Sequence, residues 1–531
     1  MATHQHQTQR AGDKISLWEA TSELGELNPF RENTRADVCI VGAGIAGLSV
    51  AYRLAVRERR SVVVLDDGLV GRGMTGRTTA HIVNALDDRF YELEKLHGEE
   101  GSRLAAESHT AAIDFVEGVV REEKIECEFE RLDGYLFEPP NEPVENLRKE
   151  FEACRRAGLP VEWVDRAPME GFDTGPAIRF PNQAQFHPLH YLRGVASAIE
   201  RAGGRIFTGT RALDVQGGDD AHVTTQDGFT VHAQSVAVCS NTPINDRYVI
   251  HTKQSPYTTY VIGLRVPKGS VTRALFWDTA EHAGQEDKWV GMVPYHYVRL
   301  ANGVGDEEIL VVGGEDHKTG QADDFEARYQ NLEDWTRVRF LSAQEVVFRW
   351  SGQVMEPTDG LGFIGRNPAD KPNVYIATGD SGNGITHGTI AGMLIPDLIL
   401  GRENPWATVY DPSRMSLRAG GDFAKENLNV GRQYSDYMRG GDVASADEIQ
   451  PGDGAVLRHG LWKVAAYRDP SGTLHEMTAV CPHLKCIVHW NGNEKTWDCP
   501  CHGSRFDAMG HVLNGPSVAD LAPVDGDAAA G

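Results

Sequence analysis

The strongest hydrophobic pattern lies close to the N-terminus, in ADVCIVGAGIAGLSVAYRL at residues 36–54. An uninterrupted apolar run at 38–41 predicts a buried strand, and the apolar spacing at 45–54 predicts a helix directly after it. A second apolar run, SVVVLDD at 61–67, predicts another buried strand. A strand, a glycine-rich turn, a helix and a strand are typical of the opening of a Rossmann-like α/β domain.

The turn between the first strand and the helix contains Gly42, Gly44 and Gly47 in a G-x-G-x-x-G arrangement. Such glycines permit a tight turn, close approach of the backbone to a pyrophosphate and close helix–strand packing. Asp66 ends the second predicted strand, where a carboxylate that binds a ribose hydroxyl is expected. The segment therefore predicts a dinucleotide site, and the pattern alone leaves FAD and NAD both open.

A later apolar strand, NVYIATG, precedes the glycine-rich segment GDSGNGITHG at residues 379–388. This segment is not a second complete fingerprint, because His387 stands where the third glycine is needed. The sequence thus argues against a reductase that binds both FAD and a pyridine nucleotide in two such domains.

Composition and charge narrow the choice of partners. The 531 residues correspond to roughly three to four domain-sized units. A formal net charge of −24 repels nucleic acid and anionic lipid surfaces. The uncharged run at 38–52 is shorter than the ~20 residues that span a bilayer, and the polar N-terminus lacks the apolar core of a secretory signal. We therefore expect a cytoplasmic protein with no membrane span and no nucleic-acid partner.

Four of the eight cysteines fall between positions 481 and 501. Cys481-x-His483 and Cys499-x-x-His502 supply two thiolates and two imidazoles, a set that could bind zinc tetrahedrally or hold a [2Fe–2S] cluster with the histidines on one iron. Two further cysteines, at 486 and 501, lie beside these loops. A zinc finger needs no such extra pair, so the pattern favours the iron–sulfur cluster.

Residues 36 to about 402 resemble the FAD-dependent oxidoreductase family that includes D-amino-acid oxidase, glycine oxidase and sarcosine oxidase. The resemblance rests on the opening segment, on VAVCSN (236–241), and on DGLGFIGR with VYIATGDSGNGITHGTIAGMLIPDLILG. It implies that FAD is bound noncontiguously and that a substrate domain, about 85–185 and 250–345, is inserted. It also implies FAD contacts beyond the first turn, at Thr78, Thr79, His81, Gly379, Gly382 and Gly384.

His81 lies in GRTTAH, which resembles the flavin loop of this family. In the dimethylglycine and sarcosine dehydrogenase branch, a Thr-Thr-x-His segment carries FAD covalently on the histidine. The resemblance therefore makes covalent attachment at His81 a hypothesis. The alternative is a histidine that only lines the loop or hydrogen-bonds the isoalloxazine.

The C-terminal motifs CPHLKC, CPCHGSRFD and NGPS together resemble the Rieske domain, over about 436–523. The resemblance implies a [2Fe–2S] cluster on Cys481, His483, Cys499 and His502, and a disulfide between the two remaining cysteines, Cys486 and Cys501. Pro482 and Lys485 replace the usual Thr and Gly, which touches no ligand. Phe506 stands where a tyrosine is common, and the loss of the tyrosine hydroxyl removes a hydrogen bond of the kind that raises the reduction potential of the cluster. We therefore predict a reduction potential below the top of the roughly −150 to +300 mV Rieske range, with Ser504 still able to donate its hydroxyl.

These segments predict a Rossmann-like FAD domain with an inserted α+β substrate domain, followed by a small all-β Rieske domain. The expected divisions are an N-terminal extension at 1–35, the FAD-dependent oxidoreductase domain at 36–405, a linker at 406–435 and the Rieske domain at 436–531. The linker is rich in Gly, Asn and charge and has little periodicity, which indicates an ordered strap or a linker.

The combination predicts a dehydrogenase that oxidises a small amine or amino acid and passes electrons from FAD through the cluster to an external one-electron acceptor. The alternatives are an oxidase that uses oxygen, with a structural or redox-sensing Rieske domain, and a reductase component for a separate oxygenase. Arg349, Tyr257, Tyr260 and His317 are considered as groups for a substrate carboxylate, but single polar residues in strands are more often structural. The catalytic residues and the oligomeric state are not predicted.

Overall fold

The computed structural model describes residues 14–23, 25–138, 143–245, 249–279, 295–368, 370–415, 420–460 and 462–524. The described helices are α1 (Leu17–Ala20), α2 (Ile45–Tyr52), α3 (Phe90–Glu123), α4 (Glu145–Arg156), α5 (Pro188–Arg201), α6 (Phe325–Arg339), α7 (Gly384–Ile399), α8 (Ala407–Tyr410) and α9 (Gly420–Gln433). Within these ranges, no helix combines the length and the apolar character that crossing a membrane requires.

The described strands form four sheets. In chain order they are β1 (Thr34–Val41), β2 (Val62–Leu65), β3 (His81–Ile82), β4 (Glu130–Phe137), β5 (Glu162–Val164), β6 (Ala177–Gln185), β7 (Arg205–Phe207), β8 (Ala212–Gln216), β9 (His222–Thr225), β10 (Thr230–Val238), β11 (Gln254–Pro267), β12 (Leu275–Asp278), β13 (His296–Asn302), β14 (Glu307–Lys318), β15 (Val346–Pro357), β16 (Phe363–Arg366), β17 (Val374–Thr378), β18 (Asp453–His459), β19 (Trp462–Arg468), β20 (Leu474–Thr478), β21 (His489–Asn491), β22 (Thr496–Asp498), β23 (Arg505–Asp507) and β24 (Val512–Asn514).

The first sheet carries the dinucleotide motif. Its order is β16-β17-β10-β1-β2-β7, with β8 and β9 added beside β10, and β1 pairs in parallel with both β2 and β10. The last four residues of β1 and all four of β2 are buried, because helices and loops cover both faces. Helices α2 and α7 approach closely, since a Cβ at Gly388 or Gly392 would overlap Ile45 or Ser49. The predicted Rossmann-like core is confirmed.

The second sheet forms the inserted domain and runs β15-β11-β14-β13-β12-β4-β6-β3, with β5 beside β6. Its strands come from 81–185 and 254–357. The second insertion therefore extends past the expected end at about residue 345. The reason is β15, which pairs antiparallel with β11 from Gln254 opposite Pro357 to Leu264 opposite Val346 and completes the sheet.

The C-terminal domain is all-β, as predicted. Strands β18-β19-β20 and β21-β22-β23-β24 form two antiparallel sheets. Its core includes the fully buried side chains of Trp497 and Phe506, packed with the four cysteines. Phe506 thus serves the packing of this small domain.

The segment expected to be a linker contains two helices, α8 and α9. Its glycines and asparagines disfavour an isolated helix, so contacts with the rest of the protein stabilise α9. Glu426 of α9 accepts a hydrogen bond from Ser255 (2.6 Å) and forms an ion pair with Lys318. Just after α9, the hydroxyls of Tyr434 and Tyr437 donate to the backbone oxygens of residues 484 and 485, at 2.6 and 2.5 Å. The segment is an ordered strap that contacts both domains.

Candidate functional site

The glycine turn after β1 has the shape that a dinucleotide needs. Gly42 has φ of 107°, and a Cβ there would overlap the backbone oxygen of Cys239. A Cβ at Gly47 would overlap the backbone oxygen of Gly42. Gly44 is the residue that precedes α2, so the free N–H groups of that helix face the turn. The turn therefore depends on the absence of side chains, and a pyrophosphate fits against it.

Asp66 lies at the end of β2 and fixes the neighbouring loop. Its carboxylate accepts hydrogen bonds from the backbone N–H of Ala43 (2.7 Å) and of Gly68 (2.6 Å). Asp66 also lines the cavity above the turn. The same carboxylate is thereby held where it could meet a ribose hydroxyl.

One cavity brings most of the predicted FAD residues together. The predicted residues on its wall are Gly42, Gly44, Asp66, Thr78, Thr79, His81, Gly382 and Gly384. Gly47 and Gly379 lie behind this wall and contribute to packing and to the turn. The residues belong to four separated parts of the chain, in agreement with noncontiguous binding of the cofactor.

His81 begins β3 and faces the cavity with both ring nitrogens engaged. Nδ1 lies 3.0 Å from the hydroxyl of Thr79, and Nε2 lies 3.4 Å from the backbone oxygen of Val298. Burial and the nearby Arg299 lower the pKa of His81 to about 3, so the ring is neutral at physiological pH. Trp277 and Tyr297 lie next to the ring, with centroids 5.9 and 6.1 Å away.

The four residues considered for a substrate carboxylate are not on the cavity wall. Arg349 pairs with Glu326 and Glu333 at the surface. Tyr260 stacks on His317, with ring centroids 5.6 Å apart. These residues contribute to packing of the second sheet, which matches the structural alternative for each.

Sequence reasoning missed a group of half-buried carboxylates at this cavity. The group comprises Asp87, Asp88, Asp316, Glu356 and Asp380. Three of them, Asp87, Asp316 and Asp380, line the cavity itself. They come from the loop after β3, from β14, from β15 and from the loop after β17. Only Asp380 lies in a segment that the sequence singled out, and the convergence of the others depends on the fold.

The protonation of these carboxylates is perturbed by their surroundings. Burial raises the pKa of Asp87 and Asp380 to about 6 and that of Asp316 to about 7. Burial and the neighbouring carboxylates also raise the pKa of Glu356 well above its ordinary value. The tyrosine hydroxyl of Tyr295 donates to Asp87 (2.8 Å). Desolvation and repulsion between the carboxylates therefore have the largest effect on these pKa values, as expected where like charges share an enclosed site.

The four predicted cluster ligands converge at the ends of two loops. Cys481, Cys499 and His502 are buried, and His483 is half-buried. The side chain of Cys481 lies against that of Cys499, and the two histidine rings are 5.2 Å apart. Nδ1 of His502 is buried and accepts or donates no hydrogen bond to any described residue. Burial lowers the pKa of His502 to about 2, so a neutral ring nitrogen is available to a metal.

The two other cysteines of this domain, Cys486 and Cys501, form a disulfide. This pairing confirms the prediction and joins the two ligand loops. The Ser504 hydroxyl lies within hydrogen-bonding reach of the Cys481 thiol. The site offers two buried thiols and two imidazoles, and the disulfide uses none of these four groups. This set fits a [2Fe–2S] cluster.

The cluster loops pack directly on the wall of the cavity. Gln353 of β15, which lines the cavity and is 3% exposed, donates from Nε2 to the backbone oxygen of Gly503 (2.9 Å). His251 is buried between the domains, with its ring centroid 4.9 Å from that of His483 and 5.7 Å from that of His502. The face of the cluster loops that carries the histidines therefore contacts the cofactor domain.

Buried charges reinforce this contact. Arg77, on the cavity wall, pairs with Glu494 of the C-terminal domain at 3.3 Å, and both side chains are almost fully buried. Arg211 donates to Asp520 (3.0 Å) and to the backbone oxygen of Val512 (2.9 Å). Residues 512–515 and 517–518 themselves form part of the cavity wall. Both domains thus build one site.

Comparisons with known proteins follow the same division of the chain. Residues 37–398 match the family described as FAD dependent oxidoreductase, and residues 441–525 match the Rieske [2Fe-2S] domain. The putative Rieske 2Fe-2S iron-sulfur protein YhfW of Bacillus subtilis is 30% identical over 517 residues, which covers 96% of this chain and 98% of that protein. Similarity to a relative therefore extends over both domains.

Two further proteins resemble the first domain. Gamma-glutamylputrescine oxidoreductase of Escherichia coli is 26% identical over 394 residues, covering 72% of this chain and 88% of that protein. The crystal structure of glycine oxidase from Geobacillus kaustophilus superposes with a TM-score of 0.56 at 18% identity, covering 72% of this chain and 99% of that one. This second likeness supports the fold.

Proposed function

This chain belongs to the FAD-dependent oxidoreductase family and joins that domain to a Rieske domain, and we propose from this that it is a dehydrogenase for a small amine or amino acid. In the proposed reaction, electrons leave through the Rieske domain to an external one-electron acceptor. Contact between the cavity wall and the cluster loop, through Gln353 and Gly503, is the observation that carries the proposal.

The first domain binds FAD and the Rieske domain binds a [2Fe–2S] cluster. When bound, FAD would accept a hydride from the carbon attached to the amine nitrogen, and the cluster would accept one electron at a time. The residues of this chain hold these groups in one enclosed place. Gly42, Gly44 and Gly47 form the pyrophosphate turn, and Cys481, His483, Cys499 and His502 would hold the iron.

The stoichiometry of the proposed reaction follows from the chemistry of the substrate. Oxidation of a CH–NH group to C=N releases two electrons and two protons, so each turnover reduces two equivalents of a one-electron acceptor. Water then hydrolyses the imine. The substrate class is supported by the names of relatives, which include an oxidoreductase of an amine and an oxidase of glycine.

A burial argument supports direct delivery of electrons between the two domains. Polar contacts across the interface, from Arg77 to Glu494 and from Gln353 to Gly503, exclude bulk water from the region between the cavity and the cluster loop. A buried contact favours transfer within the chain, since the two domains already meet at this point. His251 fills the remaining space beside both ligand histidines.

Anaerobic reduction of the purified holoprotein tests the proposal. Limiting dithionite is added while flavin absorbance and the low-temperature EPR spectrum are followed in one sample. We expect a Rieske-type signal to appear while most flavin remains oxidised, because the proposed direction requires the cluster to lie at the higher potential. Bleaching of the flavin before any cluster signal would refute outward transfer.

A matched pair of variants separates the dehydrogenase from the oxidase alternative. Cys499→Ser removes a cluster ligand, whereas Cys154→Ala removes a buried thiol in α4, away from the cavity and the cluster. We expect Cys499→Ser to keep FAD, lose iron and lose reduction of a one-electron acceptor, and Cys154→Ala to keep all three. Peroxide formed stoichiometrically with substrate and unchanged in Cys499→Ser would instead identify an oxidase.

A further inference from the structure

One part of the described cavity wall is rich in carboxyl groups. Asp87, Asp316 and Asp380 line it, and Asp88 and Glu356 lie directly behind them. Among the described residues, none of these five carboxylates forms an ion pair with a lysine, arginine or histidine. Arg89 is close to Asp87 and Asp88 but donates to the backbone oxygens of Leu86 and Asp278 instead. No described cation therefore pairs directly with these carboxylates, and Arg89 and Arg328 act on Asp87 and Asp316 only from a distance.

Among these five carboxylates, Asp316 has a buried oxygen, Oδ1, with no hydrogen-bond partner in the described part of the chain. The carboxyl group of Asp316 otherwise contacts the Thr259 hydroxyl, which is bonded to Tyr297 (2.5 Å) on the same wall. A buried acceptor that lacks a donor is unfavourable unless a ligand supplies one. Asp316 lines the cavity and keeps an acceptor that no described residue uses.

The arginines on the described cavity wall, Arg77 and Arg211, already pair with other groups. Arg77 pairs with Glu494 and donates to the backbone oxygen of Ser351 (2.8 Å). Arg211 forms ion pairs with Asp67 and Asp520 and donates a hydrogen bond to the backbone oxygen of Val512. The described wall contains no lysine. The carboxylate of a free amino acid would therefore meet a negative wall with no described cation to receive it, and repulsion would oppose its binding.

Aromatic rings complete the same wall. Trp277, Tyr295 and Tyr297 line the cavity beside the carboxylates. Aromatic faces attract ammonium groups, and more strongly where water is excluded. Carboxylates together with aromatic faces are the chemistry that recognises an organic cation.

We propose that the substrate is a diamine or polyamine, with at least two positively charged nitrogens and no free α-carboxylate. This inference rests on the proposed function, since it names the substrate of the same cavity. One ammonium group cannot neutralise three carboxylates that come from three different segments of the wall. A second cationic nitrogen lets one ligand pair with more than one of these carboxylates. The raised pKa values of Asp87, Asp316 and Asp380 agree with a site that lacks its counter-cation.

Binding to the dithionite-reduced holoprotein tests the inference without turnover, because a reduced flavin cannot accept a hydride. Spermidine and 1,4-diaminobutane are compared with glycine and proline by calorimetry and by the shift in melting temperature under anaerobic conditions. We expect the two amines to bind and to raise the melting temperature, and glycine and proline to do neither. Tighter binding of either amino acid than of the amines would overturn the inference.

Two variants identify the residues responsible. Asp316→Asn should weaken spermidine binding at least tenfold, because it removes a charge without changing the size of the side chain. Glu150→Gln is the matched control, since Glu150 is buried and its pKa is also raised, but it lies in α4, away from the cavity. If Asp316→Asn fails to fold, Asp87→Asn is measured in its place. Unchanged spermidine affinity in the folded variant would refute the assignment.

The outcomes for binding and for electron transfer are independent. Spermidine that binds but never produces a cluster signal would leave the cationic substrate site intact and would refute the outward path of electrons. An amino acid that produces the cluster signal while no amine binds would do the reverse.

Discussion

Gln353 and Gly503 form a buried hydrogen bond between the two domains, 2.9 Å from Nε2 of Gln353 to the backbone oxygen of Gly503. Gly503 directly follows the ligand His502, and Gln353 lines the cofactor cavity. The approach is close, because a Cβ on Gly503 would lie 2.6 Å from both Nε2 of Gln353 and Cβ of Pro256. One side chain therefore spans the distance from the cavity wall to the cluster loop.

Replacement of Gln353 by leucine should slow electron transfer between the domains. The variant leaves the Gly503 oxygen without its donor, which costs about 1–3 kcal/mol at a buried site. In stopped-flow reduction we expect the flavin to be reduced at the wild-type rate and the cluster several-fold more slowly, with altered EPR g-values. Gln321→Leu, which removes an interdomain hydrogen bond to Pro500 (3.2 Å) away from the cavity wall, should leave both rates unchanged. Equal slowing in the two variants would argue against a specific role.

FAD should be released completely when the protein is precipitated with acid. Both ring nitrogens of His81 are within hydrogen-bonding distance of partners, at Thr79 and Val298, so neither is held ready to form a bond to the cofactor. We expect a colourless pellet and all flavin fluorescence in the supernatant. His81→Gln should then weaken retention of FAD, while a fluorescent pellet that becomes colourless in this variant would establish covalent attachment instead.

Amine binding should strengthen as the pH rises from 5 to 8. The pKa of Asp87 and Asp380 is about 6 and that of Asp316 about 7, so all three lose their protons in this interval. His81 and His387 also face the cavity, but their pKa values of about 3 and 4 keep them neutral throughout. Amines of this kind remain protonated, since an alkylammonium group has a pKa near 10. Calorimetry at four pH values measures the slope.

The same carboxylates determine whether the free energy of unfolding rises or falls with pH. Their pKa is higher in the folded than in the unfolded protein, so the folded state binds more protons between about pH 4 and 7. The free energy of unfolding without ligand should therefore fall as the pH rises through this window, and saturating spermidine should offset the fall. Asp316→Asn should flatten the pH dependence, and a steeper fall in this variant would contradict the linkage.

The disulfide should stabilise the C-terminal domain. Cys486 and Cys501 are 15 residues apart, and closing a loop of that length in the unfolded chain is worth about 3 kcal/mol. The double variant Cys486→Ala and Cys501→Ala should unfold earlier in denaturant and lose iron faster, with FAD binding unchanged. Intact mass with and without reductant checks the bond in the wild type, where identical masses would mean that it is absent.

Local pattern was enough to predict the cofactor turn and the cluster loops. Gly42, Gly44 and Gly47 act within one short segment, and Cys481 and His483 are separated by one residue. A dinucleotide site and a cluster site are therefore visible in local spacing, whereas the choice of FAD over NAD came from the family resemblance. The Cys486–Cys501 disulfide, in contrast, was implied by the resemblance to the Rieske domain, and the structure contains it.

Features that depend on distant pairing were not visible in the sequence. Asp87, Asp316 and Asp380 meet because β3, β14 and β17 belong to two sheets that face one cavity. Each is an ordinary acid in its own segment. Gln353 and His251 likewise acquire their positions only when the C-terminal domain packs on the first. Helix α9 was missed for a different reason, since its low intrinsic propensity is overcome by tertiary contacts.

The strap from α8 to Tyr437 has a consequence for the kinetics of the proposed reaction. It contacts the first domain through Glu426 and the cluster loop through Tyr434 and Tyr437. One polypeptide therefore supplies one flavin site and one cluster site, already in contact. Passage of electrons between them is a first-order event that dilution does not slow. Only the substrate and the final acceptor have to diffuse to the protein.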